Sequence, residues 1–244
     1  MPSARLGAQM AENQDLDKSA EAIRGMFAAV APRYDLLNRL LSGCLDTVWR
    51  RRAARSLHDD ARVVLDLCCG TGDQAVALRK HAAQTVVASD FCLPMLDLAA
   101  DKFRRLEPRP QRLAGDALSL PFRGAVFDAV TVSFGLRNFA DLDQGLREIH
   151  RVLRPQGQVR FLEFAMPQSR WLKVAYNLYL DRVLPALGAL ISPVPSAYRY
   201  LPDSVVAFPQ RDELTERMRA AGFDHATWDN FSGGTVCLYK GVTK

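Results

Sequence analysis

Histidine is scarce in this chain, four in 244 residues, and the five cysteines form no C-x-x-C and no metal-ligand spacing. A zinc centre or a dithiol couple therefore has no basis in the sequence. The odd cysteine count, with Cys68 and Cys69 adjacent in a glycine turn, points instead to reduced thiols and a cytosolic setting. Long apolar runs are missing too. The longest, Trp171 to Ile191, is interrupted by Lys173, Asp181, Arg182 and Pro185, each costly at a bilayer centre, so it does not span a membrane. Met1 to about Ser19 is polar and lacks the apolar core of a signal peptide; it reads as a frayed tail before a single domain, 20–244. There is no internal repeat. Charge is not strongly one-sided: a net +5 and a pI near 9.1 allow weak attraction to acidic membranes or nucleic acid without demonstrating either.

What is present is 48% hydrophobic content, enough for one sizeable core, and a distinctive run from Val63 to Asp73, V-V-L-D-L-C-C-G-T-G-D. An apolar strand closes on an acid, two glycines follow one residue apart, and a second acid stands where a helix begins. Glycine lets a ligand approach the backbone, and a helix N-terminus offers unpaired N–H groups. Gly70-x-Gly72-x-x-Ala75 fits a loose dinucleotide fingerprint, with Asp90 at the expected offset. A pyrophosphate beside Asp66 and Asp73 would be repelled, however, since like charges about 4 Å apart cost about 4 kcal/mol at an effective dielectric of 20. The acids suit a cationic ligand. S-adenosylmethionine, with its ammonium, sulfonium and ribose diol, is the expected cofactor: Asp66 and Asp73 face positive charge, and Asp90 accepts from the ribose hydroxyls.

Three helical patches, Ala20 to Val30, Tyr34 to Leu41 and Asp46 to Leu57, precede an alternation of strands and helices. Strands are predicted at Arg62 to Leu67, Thr85 to Ser89, Gln111 to Ala114, Phe127 to Ser133 and Gln158 to Phe164. Helices are predicted from Asp73, from Pro94 and over Leu142 to Leu153. Arg154-Pro155-Gln156-Gly157 marks a sharp turn. A further helix, Pro209 to Ala221, leads to strands Ala226 to Asn230 and Thr235 to Lys240, joined through Ser232-Gly233-Gly234. The fold class is α/β, a Rossmann-like seven-stranded sheet, mostly parallel, with the last strand antiparallel, extra N-terminal helices and a helical insertion before the final hairpin.

Ligands of open α/β sheets bind beyond the carboxyl ends of the strands. Four such ends are legible: Asp66 to Asp73; Asp90-Phe91, acid for ribose and aromatic for adenine; Gly115-Asp116-Ala117, where Asp116 accepts from the adenine amino group; and Ser133 to Asn138. Their order and spacing point to a class I methyltransferase.

Several segments are more restrictive than the glycine loop: Met26-Phe27, Ala31-Pro32-Arg33-Tyr34-Asp35-Leu36-Leu37-Asn38, S-F-G-L-R-N at Ser133 to Asn138, Leu162-Glu163-Phe164, and S-A-Y-R-Y-L-P-D-S-V at Ser196 to Val205. On these the chain after its tail resembles the quinone-ring C-methyltransferases of menaquinone and ubiquinone biosynthesis. The resemblance implies methylation of a prenylated quinol, demethylmenaquinol or a benzoquinol, and cofactor contacts at Thr71, Asp90, Asp116, Ala117 and Ser133, beside the Asp66, Gly70, Gly72 and Phe91 of the strand-end reading. Two departures stand out. The usual Arg-Pro-Gly-Gly turn is Arg-Pro-Gln-Gly here, and Pro193 and Pro195 precede the Ser-Ala-Tyr run.

Such a reaction needs a nucleophilic ring carbon, which a quinol supplies once a hydroxyl proton leaves. A phenol has a pKa of about 10, so ionisation needs help. Arg137 is the candidate to stabilise the anion; Asp35, Tyr34 if ionised, or an ordered water is the candidate proton acceptor. Asn38, Asn138, Tyr198, Arg199 and Tyr200 are candidate substrate contacts. His150, inside an amphipathic helix, is read as packing. The stripe from Trp171 to Leu190 serves as core, lines an apolar entrance or rests on a bilayer surface, and Arg50, Arg51, Arg52 and Arg55 read as a solvated helix face or a contact for anionic lipid. The expected location is cytoplasmic, peripheral on the inner membrane face. A homo-oligomer is left open. Nucleic acid is not an expected partner, because amino-group methylators commonly carry Asn or Asp, Pro-Pro and an aromatic where this chain has Ser-Phe-Gly-Leu-Arg-Asn.

Overall fold

The computed structural model describes residues 18–183 and 195–244, the side chains at 181, 183 and 195–199 excepted. The predicted tail through residue 17, and Pro193, lie outside the described residues. Seven strands form one sheet in the order β3-β2-β1-β4-β5-β7-β6. They are β1 (Val63–Leu67), β2 (Thr85–Asp90), β3 (Gln111–Ala114), β4 (Phe127–Ser133), β5 (Leu153–Phe164), β6 (Asp224–Phe231) and β7 (Val236–Val242). The first five run parallel, and β7 enters antiparallel between β5 and β6, as the sequence predicts.

The central strands are apolar without alternation because helices cover both faces. Val64, Leu65, Ala129, Val130 and Val132 have no exposed surface, whereas the outer strand β3 is largely exposed. The crossover helices are α4 (Asp73–His81), α5 (Leu93–Phe103) and α6 (Leu142–Val152). Asp141 caps α6 by accepting from the Gln144 N–H at 2.9 Å, and its Leu146, Ile149 and Val152 form a buried stripe. His150 packs edge-on against Phe223, ring centroids 5.3 Å apart, in the packing role expected of it.

The predicted turn at Arg154 to Gly157 takes a different form. β5 starts at Leu153, which pairs with Phe127, and the next pair is Gln158 with Ala129, so residues 154–157 bulge out of the strand. Gln156 takes a φ of +61° there. Leu153 is buried and continues the core, which keeps the strand in register across the interruption. The last hairpin turns through Ser232–Gly234, with Gly233 and Gly234 at φ +69° and +90°, a conformation that glycine adopts without strain.

Before the sheet come α1 (Ala20–Val30), α2 (Tyr34–Ser42) and α3 (Leu45–Arg55). Ser19 caps α1, Pro32 sits in the 3-10 turn joining α1 to α2, and Gly43 ends α2 with φ +56°. Between β5 and β6 lie α7 (Arg170–Leu178), a π turn (Tyr179–Val183), α8 (Pro195–Ala207) and α9 (Asp212–Ala220). Of these, α1, α2, α3, α7 and α8 line the cavities of the site, whereas α9 packs into the sheet core through Leu214 and Met218.

Candidate active site

β1 ends beneath the glycine turn, and Asp66 is fully buried there. The Thr131 hydroxyl donates to its Oδ1 at 3.0 Å, while Oδ2 has no hydrogen-bond partner among the described residues. Burial pushes this carboxyl up to about 7, against the opposing pull of Arg50 and the Thr131 bond. Asp66 borders neither cavity, so the charge expected to face the ligand is set back behind the turn, and a cation arriving there would act on this unpaired carboxylate at a distance.

Asp90, at the end of β2, is fixed by two backbone donors, Gly70 N–H to Oδ2 at 2.8 Å and Cys92 N–H to Oδ1 at 2.9 Å. Burial raises its pKa against these bonds. Each oxygen keeps a lone pair for a further donor such as a ribose hydroxyl. Asp90 borders a cavity of about 820 Å3, counted out to its mouth, together with Gly70, Phe91, Met95, Asp116, Ala117, Leu118 and Ser133. Asp116 accepts from the Leu118 N–H through Oδ1 at 2.9 Å, which leaves Oδ2 for a ligand amino group. The Ser133 hydroxyl donates to Gln74 at 3.2 Å. Acids for hydroxyl and amino groups beside apolar walls for a flat base fit the adenosine half of S-adenosylmethionine. Lys18, Ile23 and Phe27 close the cavity from the N-terminal side.

Four sequence expectations come out differently. Asp73 does not face a ligand: it pairs with Arg39 at 2.8 Å and with Lys102 at 2.6 Å. Burial works against its carboxylate, yet Lys102, Arg50 and Arg39 together hold it below the ordinary range. Asp35 is bound to Lys102 at 2.6 Å and accepts from the Thr71 hydroxyl at 2.5 Å, and it borders neither cavity. Thr71 is spent in the same cluster, 3% exposed, and accepts from Lys102. Gly72 caps α4 at φ +86°, where a Cβ would fall 2.6 Å from the Phe103 ring, so close packing explains it. For Asp73, Asp35 and Thr71 the physical reason is shared: Arg39 of α2 and Lys102 of α5 reach this cluster and occupy it, whereas Gly72 is set by packing against Phe103.

A second, larger and mainly apolar cavity, about 1490 Å3 counted the same way, opens between α1, α2, α3, α7 and α8. Leu37, Leu41, Leu45, Trp49, Phe164, Tyr176, Tyr179, Leu180 and Tyr200 are among its walls, with Asn38 and Arg137 as polar members. Phe27, Tyr34 and Phe134 border both cavities, so the two meet at these three side chains. Arg137 is 6% exposed. Its Nη1 donates to Glu163 at 2.8 Å and to the Phe134 carbonyl, its guanidinium lies 5.4 Å from the Phe164 ring centroid, and its Nε has no partner. Asn138 borders the smaller cavity and accepts from the Tyr200 hydroxyl of the larger one at 3.0 Å. Burial raises the Tyr200 pKa. Tyr198 and Arg199 lie outside the described side chains.

The sequence reading assigned no role to Glu163, although the motif containing it was plain. Arg50 was placed on a helix surface with Arg51, Arg52 and Arg55; it is 7% exposed and lines the larger cavity, while the other three are exposed. The one signal that separates it is position: Trp49, Arg50, Ala53 and Ala54 form the buried stripe of α3.

A family model described as the ubiE/COQ5 methyltransferase family matches residues 14–243. The chain is 49% identical to a demethylmenaquinone methyltransferase of Deinococcus radiodurans over 86% of this chain and 88% of the relative. It is 38% identical to a ubiquinone/menaquinone biosynthesis C-methyltransferase of Geotalea uraniireducens, over 93% and 98%. Among solved structures, a SAM-dependent methyltransferase of Thermotoga maritima has a TM-score of 0.65 at 18% identity, covering 90% of this chain and 99% of that one. That likeness establishes the class I methyltransferase fold. With the adenosine-shaped cavity at its strand ends, the chain belongs to the ubiE/COQ5 methyltransferase family and is an S-adenosylmethionine-dependent enzyme.

Proposed function

We propose that the chain methylates a ring carbon of a prenylated quinol, converting demethylmenaquinol to menaquinol. The observation that carries this reading is the meeting of an adenosine-shaped cavity with a larger apolar one at Phe27, Tyr34 and Phe134, beside the buried Arg137. The cofactor supplies an electrophilic methyl group. The residues of this chain prepare the acceptor. Arg137 favours the ionised quinol oxygen, and the charge delocalises to the ortho carbon. Arginine stays protonated, so it is not the base. Of the side chains considered as proton acceptors, Tyr34 reaches the junction and Asp35 does not; the hydroxyl proton goes to a water, or to Tyr34 when that phenol is itself ionised, and the ring proton displaced by the methyl group goes to water as the ring regains aromaticity. The apolar walls exclude bulk water and receive the ring and the first part of the tail.

The rest of the tail calls for an apolar approach. On α7, Trp171, Val174 and Leu178 are 85%, 63% and 54% exposed on one face, while Tyr176, Tyr179 and Leu180 of the same segment turn to the cavity. No helix among the described residues is long and apolar enough to cross a membrane. This face, flanked by Arg170 and Lys173, suits the surface of an anionic bilayer.

Purified protein with methyl-labelled S-adenosylmethionine and a short-chain demethylmenaquinol is expected to label the quinone ring. Label entering only RNA or protein rejects the reading, and faster labelling of the matching benzoquinol moves the acceptor to the ubiquinone side.

A further inference from the structure

Among the described residues, two arginines face the larger cavity, Arg137 and Arg50. Arg50 is 7% exposed, lines that cavity and not the smaller one, and has no hydrogen-bond partner for its Nε. Its guanidinium stacks on Phe134, 5.1 Å from the ring centroid. Asp46, one turn earlier on α3, is already taken by Arg39 and by the Ser42 hydroxyl at 3.1 Å. Asp66 and Asp73 feel the Arg50 charge, but neither closes on Nε. A buried guanidinium donor without an acceptor costs free energy unless a ligand completes it.

Arg137, like Arg50, lines the larger cavity and not the smaller one, but its chain neighbours Phe134 and Asn138 border the cofactor cavity. Arg50 is delivered from the other side, by α3, where its neighbours Trp49 and Asp46 border only the larger cavity, and it meets the junction through the Phe134 ring. Phe134 and Phe164, centroids 4.5 Å apart, separate the two guanidiniums, each of which stacks on one of the rings. A para-diol presents two oxygens on opposite sides of one flat ring. Ionisation of the oxygen next to the accepting carbon activates that carbon, whereas the opposite oxygen, beside the prenyl-bearing carbon, only fixes the ring.

We infer that Arg50 is a second substrate-recognition residue, donating to the quinol oxygen remote from the accepting carbon while Arg137 serves the oxygen adjacent to it. The inference rests on the quinol reading above. It makes the site selective for a dihydroxy ring over a ring with one hydroxyl.

The test compares a short-chain demethylmenaquinol with the naphthol that lacks the hydroxyl beside the prenyl-bearing carbon, using wild type, Arg50→Gln and Arg50→Lys. Wild type is expected to prefer the diol in kcat/KM by about 10- to 100-fold, the range of a hydrogen bond to a charged group. Arg50→Gln should lose that preference, with kcat/KM falling much further for the diol than for the naphthol and chiefly through KM, and Arg50→Lys should recover part of it. Equal use of diol and naphthol by wild type overturns the inference without needing any variant. An equal loss on both substrates overturns it in favour of a structural role. A matching rise in the calorimetric Kd for S-adenosylmethionine overturns it in favour of the cofactor carboxylate as the partner. Absence of all quinol methylation by wild type would instead defeat the reading on which it rests.

Discussion

Arg137 and Glu163 form an ion pair at 2.8 Å with side chains 7% and 1% exposed, and the backbone N–H of Arg137 also donates to Glu163 at 3.3 Å. The strand end of β5 thus aims the guanidinium that β4 delivers to the substrate cavity. Removing one partner of such a pair leaves a bare buried charge, at a cost of about 3 to 5 kcal/mol.

Arg137→Met alone is therefore expected to lower the melting temperature sharply, and loss of turnover in it would be ambiguous. Arg137→Met with Glu163→Leu should recover thermal stability, since apolar replacements of a buried pair are often neutral. Turnover of the double variant should stay down by about 100-fold or more, with calorimetric cofactor affinity unchanged. Recovery of turnover with stability would remove Arg137 from the chemistry.

Asp35→Asn separates a base from a latch. A general base contributes about 10²- to 10⁴-fold, whereas loss of the half-exposed pair with Lys102 should cost no more than about 1 kcal/mol. We expect kcat to fall less than about tenfold, with activity more sensitive to salt because Asp35 and Arg39 tie α2 to Asp73 and Lys102. A collapse of kcat would restore Asp35 as the proton acceptor.

If the charge of Asp66 is felt by the cofactor, binding is expected to depend on pH. With a folded value of about 7 above an unfolded one of about 3.9, the folded chain holds the extra proton between them, and its stability falls as pH rises across that window. A cationic ligand prefers the ionised carboxylate, so the Kd for S-adenosylmethionine should tighten from about pH 5.5 to about pH 7.5, below the loss of the ligand's own α-amino proton. Asp66→Asn should flatten the titration. A flat profile in wild type would separate Asp66 from the ligand's charge.

Replacing both Trp171 and Leu178 by Glu should abolish binding to anionic vesicles in flotation assays and raise KM for a long-tailed quinol. KM for a short-chain one should stay the same. Equal effects on both substrates would place these residues in folding rather than in membrane contact.

The sheet was legible in the sequence because apolar strands, capped helices and glycine turns repeat at regular intervals; even the antiparallel last strand followed from Ser232 to Gly234. That Asp90, Asp116 and Ser133 would gather at one cavity was legible for the same reason, since strand ends face the site in this fold. The ion pairs were not. Arg39 lies 34 residues from Asp73, and Lys102 lies 29 from it, so no local pattern announces that Asp73 is already satisfied. Arg50 was hidden among neighbouring arginines, because one helical turn separates a buried position from an exposed one without any change of residue type.

Tyr34 belongs to the wall of both chambers, and the helix that carries it is fastened at Asp35 and Arg39. A displacement of that helix would therefore alter the walls of both chambers at once, so the pairs at Asp35 and Arg39 bear on the cofactor space and the substrate space together.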